Sequence, residues 1–115
     1  MKIGSIREAE CAPVEQEGAH GVSLSWLLDA ETGAPTFAMR LFRVDSGGCT
    51  PRHAHAWEHE VYVIGGSGKL WVGDQWTPIG EGSYVLVLPG EEHQFACSEN
   101  ERMEFLCMIP HSRQA

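Results

Sequence analysis

Four of the six histidines in the 115-residue chain stand where imidazoles can converge. His53 and His55 are two apart, so on extended backbone both rings leave the same face. After a turn at Ala56, Trp57 and Glu58, a third ligand can come back from the start of the next strand, either His59 or Glu60. His93 stands directly after the turn Pro89-Gly90-Glu91-Glu92. A single histidine on a β-face is usually a surface or hydrogen-bonded core residue. Three within seven residues, with a fourth behind a glycine turn, form a pattern that calls for a metal. Imidazole suits Mn, Fe, Co, Ni, Cu and Zn, so the expected ion is one divalent transition metal and not Ca²⁺ or Mg²⁺.

The elements that must position these rings read as strands. Short β-type runs cover residues 22–28, 36–44, 60–64, 69–72, 75–79, 84–88, 93–97 and 103–109, separated by glycine-, proline- and Asn/Asp-containing turns. Asp45-Ser46-Gly47-Gly48 and Gly65-Gly66-Ser67-Gly68 read as two of those turns. Gly73-Asp74 reads as a two-residue hairpin of type II′, with glycine leading. Ile6 to Glu10 allows a brief helix or an extended arm, and the tail from His111 to Ala115 is expected to fray. The fold class is therefore all-β, a sandwich or barrel. It forms one domain over residues 1–115, with the barrel at about 20–110 and an N-terminal arm at about 1–19.

The glycine frame around the histidines resembles the cupin superfamily, whose fold is a double-stranded β-helix or jelly-roll barrel. The family's first motif places five residues between a glycine and H-x-H, as between Gly47 and His53-Ala54-His55. Its second motif is matched by Gly82, Gly90 and His93, with Leu88 in place of a proline and Cys97 in place of an asparagine. The usual glutamate position lies three or four residues beyond H-x-H and six ahead of a glycine. It falls on His59, with three residues between it and His55 and six between it and Gly66, whereas Glu60 satisfies only the first of those spacings. Strand parity agrees, because His59, Val61 and Val63 share a face that Glu60 does not. The expected ligand set is His53, His55, His59 and His93. Residues 37–42, 53–60 and 104–110 are similar to the small manganese-binding cupins with four histidine ligands. That resemblance implies Mn²⁺ first (with Fe, Zn, Ni, Cu or Co as alternatives), a homodimer, and an N-terminal strand exchanged between subunits.

Four neutral imidazoles leave the dipositive charge on a metal uncancelled and two octahedral positions open for ligands. The first functional expectation is a metal-dependent oxidoreductase, of dioxygenase or peroxide type, acting on a small organic substrate. The alternatives are a non-catalytic small-molecule-binding cupin, or a metal-dependent isomerase or lyase on a sugar or organic acid. Parity places Phe95 and Cys97 on the face of His93, and Phe105 with Cys107 on another inward face. These four residues and Arg40 are candidate pocket lining. They also read as plain barrel core, with Arg40 as an ion-paired or sheet-edge residue. Glu60 is a candidate to orient a ligand imidazole through its distal N–H. The four tryptophans read as core and interface mass.

Composition narrows the partners. The chain is 43% hydrophobic and 21% charged, which is globular. A net charge of −8 would repel phosphate backbones, so no nucleic-acid partner is expected. No apolar run reaches membrane-spanning length, so no membrane role is expected either. The first eight residues lack a signal-peptide pattern, and the four cysteines contain no C-x-x-C. Reduced thiols in a cytoplasmic protein are the expectation.

Overall fold

The period-two pattern of burial follows directly from the sequence. In residues 103–110 the side chains of Met103, Phe105, Cys107 and Ile109 are buried, and those between them are half-buried. The computed structural model describes residues 1–111. It contains strands β1 (Ala12–Pro13), β2 (His20–Leu28), β3 (Phe37–Cys49), β4 (His59–Val72), β5 (Gln75–Gly80), β6 (Tyr84–Val87), β7 (Gln94–Ala96) and β8 (Met103–Pro110). No helix occurs among the described residues, so none there is long and apolar enough to cross a membrane.

All pairings are antiparallel. One curved sheet runs β2-β3-β8-β4-β6, with β1 on the outer edge of β2. The far ends of β3 and β4 leave it: Cys49 pairs with Ala96, Lys69–Trp71 pair with Trp71's partner Gln94 through Ala96, and Ser67–Val72 pair with β5. The two long strands thus belong to both halves and close the barrel. Between the halves lies a core of Val22, Ala38, Val44, Val61, Val63, Leu70, Phe95, Met103 and Phe105. Burial of this apolar surface is the main stabilising term.

Two expected turns are bends inside continuous strands. Pairing of β2 with β3 jumps from Val22↔Val44 to His20↔Cys49, so Asp45 to Gly48 form a bulge and not a chain reversal. In β4 the register shifts between Val63 and Gly65, and Gly66 takes φ 78°. A Cβ at Gly66 would lie 1.9 Å from the Arg102 carbonyl oxygen, so only glycine lets the strand fold over β8 here. The 73–74 hairpin is also corrected. Gly73 and Asp74 have φ 59° and 64°, both positive, which is the type I′ and not the type II′ turn.

The segment from Ile6 to Glu10 forms no helix; a turn closes there through the Glu8 amide to the Ser5 carbonyl, 3.0 Å. His111 is tied down, its amide donating to Thr36 O at 3.0 Å and its Nε2 to Ala34 O at 2.6 Å. The remainder of the expected frayed tail, 112–115, lies outside the described residues.

Candidate metal centre

Two loops carry three of the histidines, and a strand carries the fourth. His53 and His93 form an isolated antiparallel bridge, with reciprocal amide-to-carbonyl bonds of 3.1 and 2.9 Å. Gly90 donates its amide to His55 O at 2.7 Å, fastening the 89–92 turn against the loop that holds His53 and His55. The Glu91 carboxylate accepts from Leu88 N at 2.9 Å within that turn. His59 opens β4 opposite Val87 and faces inward with Val61 and Val63, while Glu60 is exposed.

The rings converge. Centroid separations are 4.1 Å for His53–His55, 5.0 Å for His53–His93, 4.7 Å for His55–His59, 5.3 Å for His55–His93 and 5.1 Å for His59–His93. His53, His55 and His93 offer ring nitrogens that all lie within 4.8 Å of one another, a grouping able to hold a metal ion. His59 lies outside that grouping of three and meets it through ring contacts with His55 and His93.

Hydrogen bonds fix which nitrogens are free. His93 Nδ1 donates to Glu91 O at 2.9 Å, which leaves Nε2 as the lone-pair donor. His59 Nδ1 lies 3.0 Å from Cys107 Sγ, and its Nε2 is buried without any partner among the described residues. A buried unpartnered imidazole nitrogen is costly unless something occupies it. A metal ion meets that need, so the donor set fits one. Burial pushes the His55 imidazole down to about 4 and the His59 imidazole down to about 3, with nearby cationic groups adding to the effect. His53 is lowered by the same causes, burial first. All three shifts favour the neutral ring, the form a metal requires.

The cluster opens into a cavity of about 580 Å³, with walls that include Trp26, Phe42, Trp57, Phe95 and Phe105. Cross-strand rows build it: Trp26, Arg40 and Cys107 stand abreast on β2, β3 and β8, and Leu24, Phe42 and Phe105 form the next row. Of the residues proposed for the lining, Arg40, Phe95, Phe105 and Cys107 are there. Cys97 is not. It is buried in the barrel core away from the cavity, because its amide pairs with Gly48 O and its thiol is directed at Val44 O and Ser67 O. Glu60 is not beside a ligand imidazole either. It points outward between Leu86 and Met108, and the partner of His59 Nδ1 is Cys107. Trp26 and Trp57, read from sequence as core or interface mass, line the cavity. Trp57 stacks on His55 at 4.5 Å from the bend at residues 56–57, and its place between two histidines of the cluster, His55 and His59, was the available signal.

Residues 40–109 match the Cupin_2 family, a cupin domain, and the chain belongs to that family. No curated protein matches it in sequence. Among solved structures it is similar to the polyketide cyclase RemF from Streptomyces resistomycificus, with 32% identity and a TM-score of 0.92 over 96% of this chain and 79% of that one. It is also similar to a cupin 2 domain-containing protein from Halorhodospira halophila, with 32% identity and a TM-score of 0.70 over 84% and 68%. A predicted oxalate decarboxylase from Thermotoga maritima shares the fold, at 21% identity and a TM-score of 0.84 over 95% and 98%.

Proposed function

We propose that this cupin is a metal-dependent enzyme that promotes ring closure or isomerisation of a flat, carbonyl-rich substrate. The observation that carries the reading is the histidine cluster lining a cavity walled by aromatic rings. In this reading His53, His55, His59 and His93 hold one divalent ion, Mn²⁺ in first place and Zn²⁺ next, and the protein works as a homodimer. When bound, the ion supplies Lewis acidity toward a substrate carbonyl.

The chain's own residues do the rest. Glu91 O and Cys107 Sγ hold the Nδ1 atoms of His93 and His59, which fixes the tautomers and aims the Nε2 atoms inward. Phe42, Phe95 and Phe105 stack in a row, with centroids 5.2 and 4.4 Å apart, and present flat apolar walls that exclude water. Such walls favour an extended planar molecule over a sugar. The 32% identity to a polyketide cyclase supports the same choice, and it moves Lewis-acid chemistry ahead of the oxidoreductase expected first.

The experiment combines metal analysis of the purified chain with a poly-β-keto acid, offered free and as its thioester, followed by aromatic absorbance and an oxygen electrode. Metal-dependent formation of an aromatic ring without oxygen uptake is the expected result. Oxygen consumed in proportion to turnover would return the protein to the oxidoreductases. Binding without turnover would make it a ligand-binding cupin.

A further inference from the structure

The cavity holds a cation with no anion to meet it. Arg40 on β3 lines the same space as the four histidines. Its Nη2 donates to Cys107 Sγ at 3.0 Å, and its guanidinium lies over Phe42 at 4.9 Å and near Trp26 at 5.5 Å from the ring centroids. Its Nε is buried with no partner among the described residues. No aspartate or glutamate lines the cavity, although the chain as a whole carries a net charge of −8. The ion pair found among the described residues joins Arg43 to Glu104, elsewhere on the barrel. A second donor without a partner among the described residues, Trp57 Nε1, belongs to a residue that lines the same cavity.

An arginine inside an aromatic pocket costs desolvation unless a ligand compensates it. The guanidinium is a planar fork suited to a carboxylate, and stacking on Phe42 holds that plane in place. We propose that Arg40 is the binding residue for a carboxylate carried by a flat aromatic or poly-keto substrate, so that the enzyme takes acids and discriminates against neutral analogues. This rests on the cavity reading given above and deepens it by naming the ionic class of the substrate. The carboxylate is engaged by the guanidinium, with the Trp57 N–H as a further donor in the same cavity, while the body of the molecule lies against the wall that the stacked Phe42, Phe105 and Phe95 build.

The test uses 2-naphthoate and the neutral 2-naphthamide as probes, neither of which chelates metals strongly. Their affinities are measured by calorimetry on the full chain, metal-free and metal-loaded. The acid is expected to bind about tenfold or more tightly than the amide in both forms, the worth of a charge-assisted bidentate contact. Arg40→Met should erase that preference. Arg40→Lys, which keeps charge and bulk and decides the matter should the methionine variant fail to fold, should retain only part of it. Equal binding of both probes, no binding of either, a preference confined to metal-loaded protein, or one unchanged in Arg40→Lys would overturn the assignment. Failure of the metal reading looks different. A chain that takes up no metal yet prefers the acid removes the Lewis-acid chemistry and leaves Arg40 in its role.

Discussion

Cys107 sits where three functions meet: it is buried in the core, it lines the cavity, and its sulfur is the contact atom for both His59 Nδ1 and the Arg40 guanidinium. Removing that sulfur frees the His59 ring to rotate. Cys107→Ala is expected to weaken metal binding about tenfold to a hundredfold, as losses of such supporting contacts do. Competition with a chelator measures it, and Cys107→Ser should recover part of the loss. The cysteines also separate by environment. Cys11 is exposed, and its thiol is pulled below the usual value, chiefly by a hydrogen bond with Ser23 and with help from Arg43, whose Nη1 lies 3.3 Å away. Iodoacetamide at neutral pH should therefore label Cys11 first, and Cys11→Ser should remove the fast phase. Burial pushes Cys97 the other way, from 9.0 up to about 11. The folded state then holds a proton that the unfolded state releases, so stability present below pH 9 is lost as pH climbs toward 11. Cys97→Ala should flatten that part of a denaturation-versus-pH profile by on the order of 2 kcal/mol. At this scale the gathering of the four histidine rings followed from spacing, strand parity and the resemblance to the cupin motifs together. The His59–Cys107 and Arg40–Cys107 contacts were not, because they depend on the register of β8 against β3 and β4, which no local pattern encodes.

Elements carry a second kind of information. Strand positions were readable from alternation, but β3 read as a strand and a turn and β4 as two strands split by a turn, since glycine clusters serve both reversals and bulges. What separates the two cases is tertiary. The 65–68 stretch bends because Arg102 O crosses over Gly66. Gly66→Ala is thus expected to cost at least about 2 kcal/mol and to lower Tm in thermal unfolding, since a methyl would meet backbone that cannot step aside. The 73–74 turn gives the opposite sign. With both residues at positive φ, replacing the pair by Gly73→Asn with Asp74→Gly installs the preferred type I′ sequence. A gain of about 0.5–1 kcal/mol in the same measurement is the expected outcome.

For the whole molecule, the outer face of β4, β6 and β8 is the feature that needs a partner. Tyr84, Leu86 and Leu88 are 86%, 54% and 51% exposed, and Tyr62 is 45% exposed, which is too much contiguous apolar surface for scattered exposure to explain. Pairing sets Tyr84 beside Tyr62 and then Leu106, and Leu86 beside Glu60 and then Met108. Among the described residues β6 pairs with β4 alone, so it is also a free sheet edge, and a free apolar edge invites association. A second copy laid across this face would cover both liabilities, in keeping with the expected homodimer. An exchanged N-terminal strand would instead use the β2 edge, which Ala12 and Pro13 of the same chain occupy through Leu24 and Ser23. The two routes differ in what disrupts them. Light scattering should find the wild-type chain at about twice its 12.7 kDa mass. If the β6 face joins the copies, Tyr84→Glu with Leu86→Glu should give a folded monomer, while deletion of residues 1–13 leaves the dimer intact. If strand exchange joins them, the deletion should give the monomer and the double glutamate variant should stay dimeric. Metal content should follow the histidine cluster in either case, because all four rings come from one chain.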